Sequence, residues 1–151
     1  MDKNSFEAQL LHTPFDKEDA YHSLSMPVYN TAAYEFDTAE AMEEAFCGRT
    51  ADHAYSRITN PTVQYFEKRI RTITGALSVT ALNSGMAAVS NVFITLARSG
   101  ANIVTSPHLF GNTYSFFKST LAAFGVEVRF CDLTNPDEVR ERVDENTCAV
   151  F

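Results

Sequence analysis

Two residues at the start of a predicted helix have the chemistry of an anion-binding turn. Ser84 and Gly85 follow a short apolar run and precede a stretch with helical spacing. Amides in the first turn of a helix have no partner within the helix and, together with the helix dipole, favour a bound anion. Glycine allows the backbone to approach a phosphate closely. A plain tight turn with a helix cap has the same sequence, so this segment alone leaves both interpretations open.

Two other segments contain residues that could recognise a phosphorylated, planar ligand. Phe110 lies in a loop after a predicted strand, where it would either cover a planar cofactor ring or pack into the core beside Leu109. Tyr55 and Arg57 lie together in a polar loop, and an arginine guanidinium can bind a phosphate through two parallel hydrogen bonds. A solvated surface loop is the alternative for this second pair.

The sequence lacks the signatures of several other kinds of site. It contains no HExxH, GxGxxG, Walker A or GxSxG pattern, and its four histidines show no metal-ligand spacing. Lysine and arginine number 12 against 19 aspartate and glutamate, a net charge of −7. A nucleic-acid-binding protein needs a basic surface, and so does a polybasic membrane contact. We therefore expect no metal site and neither nucleic acid nor membrane as a partner.

Cysteine usage and the N-terminal residues predict a cytoplasmic protein. The three cysteines, Cys47, Cys131 and Cys148, are odd in number, widely spaced and without a CxxC pair. Such cysteines are typical of a reducing compartment. The N-terminal residues include no apolar segment long enough for a signal peptide, and no run approaches the roughly 18 apolar residues of a membrane span.

The N-terminal part of the chain is predicted to differ from the rest. Residues 1–36 show no sustained hydrophobic period, and we interpret them as an irregular arm that packs on a partner surface. A short helix is expected next, because Asp37 and Glu40 have the spacing of a capping box. We accordingly divide the chain into residues 1–48, an arm with a short helix, and residues 49–151, part of an α/β domain.

From Asn60 onward the pattern becomes regular. Asn60 and Pro61 are typical of a helix start and Gly75 of a helix end, and strand-like apolar runs then alternate with helix-like segments. The predicted order is helix 61–74, strand 77–82, helix 85–99, strand 102–105, helix 113–124, strand 126–130, helix 137–143 and strand 147–151. Strands and helices that alternate with short connections are typical of a parallel α/β sheet. Ligands of such sheets bind at the carboxyl ends of the strands, where Gly85 and Phe110 are expected.

The three segments whose residues could bind a phosphorylated ligand occur in an order that resembles a known family. They read Tyr55-Ser-Arg-Ile-Thr-Asn-Pro-Thr62, Asn83-Ser-Gly-Met-Ala-Ala88 and Phe110-Gly-Asn-Thr-Tyr114, and residues 26–36 look like the same family's N-terminal arm. Together they resemble the Cys/Met-metabolism family of pyridoxal-phosphate enzymes. That family includes cystathionine γ-synthase, cystathionine γ- and β-lyases, methionine γ-lyase and O-acetylhomoserine sulfhydrylase. The resemblance covers residues 26–151.

The resemblance implies a fold, a cofactor and roles for five residues. The fold is the N-terminal part of a fold-type-I transferase large domain, in a homotetramer built from dimers, and the cofactor is pyridoxal 5′-phosphate. Gly85 and Met86 would donate backbone amides to its phosphate, and Phe110 would stack on its pyridine ring. Tyr55 and Arg57 would reach the phosphate of the neighbouring subunit's cofactor, with Tyr55 also a candidate catalytic base. Most of the family has tyrosine where this chain has Phe110, so only the stacking role carries over.

The resemblance also implies a reaction and a missing residue. The reaction would be γ-replacement on an amino-acid substrate, O-acetyl- or O-succinylhomoserine, with sulfide or a thiol giving homocysteine or a methionine precursor. The alternatives are a γ-lyase acting on methionine or cystathionine, and a non-catalytic fragment or module that binds a phosphorylated ligand. The family's Schiff-base lysine lies beyond residue 151, and none of the four lysines here is predicted at a strand end. We therefore expect a truncated chain that is inactive alone.

Overall fold

The computed structural model describes residues 5–15 and 21–151. The chain forms two compact units, one up to Ala81 and one from Leu82 to Phe151. Among the described residues, no helix combines the length and the apolar character needed to cross a membrane. The predicted division at residue 48 separates regions by their role and stays a prediction.

A short helix near the N-terminus is the first departure from the predictions. Helix α1 (Phe6–His12) lies inside the segment expected to be irregular, and Ser5 caps it by accepting a hydrogen bond from the Ala8 amide at 3.2 Å. Its 7 residues are too few for a stable isolated helix. Helix α1 is held by packing on helix α3 (Pro61–Thr74), with Ala8 buried. Residues 21–36 contain no helix, and the remaining parts of the predicted arm include residues outside the described ranges.

Helix α2 (Ala39–Phe46) starts later than the capping-box spacing predicts. Its N-cap is Thr38, whose hydroxyl accepts a hydrogen bond from the Ala41 amide at 3.1 Å. The expected cap, Asp37, precedes this position, so that prediction is wrong. Thr38 has the extended backbone of a cap (φ −137°, ψ 156°), and spacing alone does not separate two adjacent residues that are both good caps.

Helix α3 confirms its sequence signals, whereas the apolar run after it does not form a strand. Asn60 caps the helix, Pro61 is its first residue and Gly75 ends it in the left-handed conformation (φ +67°). Residues 77–82 pair with no strand among the described residues, and Leu77 is 91% exposed. The strand prediction is therefore wrong. It rested on hydrophobicity, but a strand also needs a neighbour that shares its backbone hydrogen bonds.

The second unit contains a three-stranded parallel sheet with helices between the strands. Its elements, in chain order, are helix α4 (Gly85–Leu96), strand β1 (Asn102–Thr105), helix α5 (Gly111–Ser115), a π-helical segment (Phe116–Leu121), strand β2 (Glu127–Phe130), helix α6 (Pro136–Arg142) and strand β3 (Thr147–Val150). The strand order is β2–β1–β3, and both pairings are parallel. The predicted parallel α/β fold is confirmed, with three strands in the described chain instead of the four predicted.

The helical stretch after β1 differs from its prediction in its start and its winding. It begins at Gly111, earlier than the predicted Thr113, and continues from Phe116 as a π helix. Both Phe117 and Leu121 are buried in this π segment. Hydrophobic spacing therefore predicted the existence of the helix but not the wider turn.

Aromatic and branched side chains form the core of the second unit. Ile103 and Val104 on β1 are fully buried, because β1 is the central strand. Phe93 and Phe117 pack edge to face with ring centroids 4.7 Å apart, and Phe151 contacts both. Edge-to-face contact is a favoured arrangement of aromatic rings. The core therefore joins α4, the π segment and the sheet.

A polar cluster links the three strands. Buried Asn102 donates a hydrogen bond to Asp144 at 2.7 Å and accepts one from Thr147, also at 2.7 Å. Arg129 forms ion pairs with Asp144 and Glu127, both at 2.7 Å. The hydrogen bonds from Arg129 and Asn102 lower the pKa of Asp144 to about 2.

Candidate functional site

Helix α4 has an open amino terminus in the second unit. The Ser84 hydroxyl accepts a hydrogen bond from the Ala87 amide at 3.1 Å, and the Ser84 carbonyl accepts one from the Ala88 amide at 3.1 Å. The Gly85 and Met86 amides precede these and have no carbonyl within the helix to bind. Apart from its chain neighbours and the backbone of its own helix, a Cβ placed on Gly85 would meet no described atom within 4 Å. The α-carbon of Gly85 is therefore open on its side-chain side, and the two unpaired amides have the chemistry that binds an anion.

Phe110 lies at the start of helix α5 with its ring exposed. It immediately precedes Gly111, and 77% of its surface is accessible. Its neighbour Leu109, by contrast, packs against the hydrophobic core. The core interpretation of Phe110 is therefore wrong, and its ring is available to cover a ligand.

A side-chain contact brings the starts of α4 and α5 together. Thr113 Oγ1 donates a hydrogen bond to Met86 Sδ at 3.5 Å, and Thr113 is buried. Because α5 follows β1 directly, this contact places both helix starts near the carboxyl end of β1. Proteins with open α/β sheets bind ligands at that end. The structure therefore groups Gly85, Met86 and Phe110, and their role toward a ligand stays a prediction.

Tyr55 and Arg57 lie in the first unit, on a loop fastened to the N-terminal arm. Tyr55 forms an antiparallel bridge with Ala33, and the Ser56 amide donates a hydrogen bond to the Ala32 carbonyl at 2.9 Å. The Arg57 guanidinium carbon lies 5.2 Å from the centre of the Tyr55 ring, in cation–π contact. Arg57 is exposed and has no ion-pair partner among the described residues. Its guanidinium is therefore available for an anion.

Asn60 has a second role that the sequence did not reveal. Its side-chain oxygen caps helix α3, accepting a hydrogen bond from the Thr62 amide at 2.9 Å. Its side-chain nitrogen lies within hydrogen-bonding distance of Ser56 Oγ (2.9 Å), the Tyr29 carbonyl (3.0 Å) and Tyr34 Oη (3.1 Å). An Asn-Pro pair signals the cap, but nothing local signals partners from the distant arm. Asn60 is 7% exposed, which agrees with a group that satisfies its hydrogen bonds inside the protein.

A cavity of about 1090 Å³ lies elsewhere in the first unit, between the arm and helix α3. Its lining includes Tyr29, His53 and Lys68, but neither Tyr55 nor Arg57. Of the two candidate residues of this unit, Arg57 is exposed and Tyr55 is half-buried, and neither contributes to this cavity.

The described residues include no group of metal ligands and no lysine at the carboxyl end of a strand. Among them, no three His, Cys, Asp or Glu side chains are grouped as metal ligands, and the three cysteines are free. Lys68 lies on helix α3, and Lys118 lies in the π segment with its Nζ 5.4 Å from the centre of the Tyr114 ring. Lys3 and Lys17 fall outside the described residues.

The group formed by Gly85, Met86 and Phe110 in the second unit fits a phosphorylated pyridine such as pyridoxal 5′-phosphate. The open terminus of α4 suits a phosphate, because backbone amides and the helix dipole both favour negative charge. The exposed ring of Phe110, on the helix that contacts Met86, suits a planar aromatic ring.

Comparison with proteins of known sequence gives the family of this chain. Residues 7–151 match the family model described as Cys/Met metabolism PLP-dependent enzyme. The chain is 36% identical to O-acetyl-L-homoserine sulfhydrylase of Corynebacterium glutamicum, over 99% of this chain and 35% of the relative. It is 34% identical to L-methionine gamma-lyase of Fusobacterium nucleatum, over 89% of this chain and 34% of the relative.

A solved structure has the same fold. It is a protein of Campylobacter jejuni described as an O-acetylhomoserine (thiol)-lyase, with a TM-score of 0.87 and 32% identity, covering 97% of this chain and 36% of its own. It contains N′-pyridoxyl-lysine-5′-monophosphate at its position 205. The present chain thus spans about a third of the length of these relatives. Matched by the family model from residue 7 to residue 151, it belongs to the Cys/Met-metabolism family of pyridoxal-phosphate-dependent enzymes.

Proposed function

We propose that this chain is the N-terminal part of an enzyme that performs γ-replacement on O-acetylhomoserine or O-succinylhomoserine, with sulfide or a thiol as the sulfur donor. The observation that carries the proposal is the open start of helix α4 at Gly85 and Met86, which a Thr113–Met86 hydrogen bond links to helix α5, whose N-cap Phe110 is exposed. The similarity to an O-acetyl-L-homoserine sulfhydrylase over 99% of the chain supports this choice of reaction.

In this proposal the second unit holds one face and one end of the cofactor. The Gly85 and Met86 amides bind the phosphate, and the missing Cβ of Gly85 lets it come close. The Phe110 ring stacks on the pyridine and orients it. When bound, pyridoxal phosphate supplies an electron sink for the electron pair released at the substrate's α-carbon. Phe110 carries no hydroxyl, so proton transfers must be made by other groups.

The first unit would serve a cofactor in a neighbouring copy of the chain. Arg57 is exposed and in contact with Tyr55, so a phosphate that binds the guanidinium comes close to the phenol as well. Tyr55 Oη is the group that we assign to proton transfer near the substrate. This arrangement requires a homo-oligomer, and we propose the dimer of dimers that the family resemblance implies.

The 151-residue chain alone would be inactive in this proposal. Both described lysines lie on helices, and the pyridoxyl-lysine of the Campylobacter jejuni protein is at its position 205. We therefore assign residues 1–48 to an arm with a short helix and residues 49–151 to part of the cofactor-binding domain, in a cytoplasmic enzyme. The anchoring lysine would come from further sequence.

Two assays test the proposal. The full-length gene product is supplied with O-acetylhomoserine, with and without sulfide, and homocysteine and 2-oxobutyrate are measured. Homocysteine should dominate when sulfide is present. Release of 2-oxobutyrate as the main product in both conditions would favour a γ-lyase instead.

The second assay uses the 151-residue chain with pyridoxal phosphate and borohydride. We expect no turnover and no reduced adduct at a unique lysine. Turnover together with such an adduct would contradict the assignment of the anchoring lysine to further sequence. A full-length product that binds the cofactor but converts none of O-acetylhomoserine, O-succinylhomoserine, methionine and cystathionine would favour a non-catalytic binding module.

A further inference from the structure

We propose that Asn60 is a positioning residue for Tyr55 and Arg57, acting through its side-chain nitrogen, separately from its role as a helix cap. The inference rests on the proposed function, because it assigns Asn60 to the loop that would bind the neighbouring cofactor. It concerns one side chain whose two ends face different parts of the first unit.

Hydrogen-bond chemistry fixes the orientation of the Asn60 amide. The Tyr29 carbonyl can only accept a hydrogen bond and the Thr62 amide can only donate one, so the nitrogen must face Tyr29 and the oxygen must face Thr62. The two hydrogens on the nitrogen are then shared among the Tyr29 carbonyl, Tyr34 Oη and Ser56 Oγ. The cap uses the oxygen alone.

Ser56 carries the effect of Asn60 to the candidate residues. It lies between Tyr55 and Arg57 in the chain, and its hydroxyl accepts from Asn60 while donating to the Thr31 carbonyl. Its amide also donates to the Ala32 carbonyl. Asn60 therefore holds the middle residue of the loop from the side of helix α3, while the arm holds it from the other side. Without that bond, Ser56 would keep its hydrogen bonds to the arm, and the loop would keep its internal bonds from the Ile58 and Thr59 amides to the Tyr55 carbonyl, but Ser56 would lose its link to the start of helix α3.

A second Asn-Pro cap in the same chain provides a matched control. Asn135 caps helix α6 through its side-chain oxygen, which accepts hydrogen bonds from the Asp137 amide at 3.2 Å and the Glu138 amide at 3.5 Å. The Asn135 side chain is exposed, and its nitrogen has no hydrogen-bond partner among the described residues. The same change at the two asparagines therefore separates capping from positioning.

The test compares Asn60→Asp with Asn135→Asp in the full-length protein. Aspartate keeps an oxygen for the cap, and its charge suits a helix start, but it donates no hydrogen bond at neutral pH. The readouts are the dissociation constant for pyridoxal 5′-phosphate and the amide hydrogen exchange of residues 54–58 in the cofactor-free protein.

We expect Asn60→Asp to raise the dissociation constant about tenfold and to speed exchange at residues 54–58, because a buried acceptor loses its donor. Asn135→Asp should leave both within about twofold of the parent. In an Arg57→Ala background, Asn60→Asp should add less than about twofold, because two residues that act as a unit are not additive. A purely structural role for Asn60 would give the same loss in both backgrounds, which would overturn the inference.

The outcomes separate this inference from the proposed function. If the parent protein fails to bind pyridoxal phosphate, the proposed function fails. If the parent binds and Asn60→Asp binds equally well, only the positioning role fails. Should Asn60→Asp not fold, Ser56→Ala removes the hydroxyl through which Asn60 holds the loop and leaves the cap of helix α3 unchanged. We expect it to weaken cofactor binding about threefold, and unchanged binding would overturn the inference.

Discussion

The same substitution at two phenylalanines should have opposite consequences. Phe117 is fully buried and packs edge to face against Phe93, with ring centroids 4.7 Å apart, and against Phe151, at 5.5 Å. Phe110 is 77% exposed and is the N-cap of helix α5, which contacts the start of helix α4 through Thr113 and Met86. Replacing each in turn with alanine therefore tests the core and the candidate site separately.

The loss of stability expected for Phe117→Ala follows from the burial of the Phe117 side chain. Removing a buried phenylalanine side chain costs about 3–5 kcal/mol, the sum of lost transfer free energy and the cavity left behind. A domain is typically stable by only about 5–15 kcal/mol, so Phe117→Ala removes a large part of the stability of the second unit. Since about 1.4 kcal/mol is a factor of ten, opening of the core should become two to four orders of magnitude more frequent.

Replacing Phe110 is expected to change the affinity for the cofactor and to leave the stability almost unchanged. An exposed side chain away from the core changes stability by no more than about 0.5 kcal/mol. A stacked aromatic pair contributes about 0.5–1.5 kcal/mol beyond burial, so Phe110→Ala should weaken binding of pyridoxal phosphate roughly two- to tenfold.

Site-resolved hydrogen exchange and a cofactor titration measure both effects in the full-length protein. Amides of β1 should exchange two to four orders of magnitude faster in Phe117→Ala and at the parental rate in Phe110→Ala. Parental exchange in Phe117→Ala would refute the packing argument. Loss of β1 protection in Phe110→Ala would show that its ring belongs to the core, and unchanged cofactor affinity would refute stacking.

Two further predictions concern the stability of the fold: its pH dependence through Asp144, and the effect of replacing Gly75 at the end of helix α3. Hydrogen bonds to Asp144 from Arg129 and Asn102 hold its pKa at about 2, below the usual value of about 3.9, so this carboxylate stabilises the fold above pH 4 and ceases to do so as the pH falls toward 2. Thermal unfolding between pH 5 and pH 2 should therefore show a shallower pH dependence in Asp144→Asn than in the parent, and equal slopes would contradict this assignment. Gly75→Ala should cost about 1–2 kcal/mol in thermal or urea unfolding, because its φ of +67° is unfavourable for any residue with a Cβ. Gly85→Ala, where φ is not positive and the added Cβ meets open space, is the control and should cost nothing measurable in stability.

Local signals predicted the elements whose ends are determined locally. Helix α3 follows from Asn60, Pro61 and Gly75, and strand β1 has the bounds that its flanking residues predict. These features depend on capping and on short-range hydrophobic patterning, which residues close together in the sequence determine.

Features that depend on distant partners were missed. Helix α1 needs helix α3 to hold it, and residues 77–82 were predicted as a strand without any evidence of a neighbour. The candidate site shows the same division. The motif containing Tyr55 and Arg57 could be found from sequence, but the Asn60 network could not, because the Tyr29 carbonyl that fixes the orientation of the Asn60 amide comes from the arm, 31 residues away.

The central position of β1 has a consequence for the chain while it is being synthesised. Asn102 at the start of β1 bonds to Thr147 at the start of β3, and 45 residues separate them. Translation adds about 5–20 residues per second, so the ribosome reaches the start of β3 roughly 2–9 s after the start of β1. During that interval Ile103 and Val104, fully buried in the finished protein, border an unpaired strand edge that other nascent chains can join. Synonymous codons that slow translation between β1 and β3 should therefore lower the soluble yield without changing any contact of the folded protein.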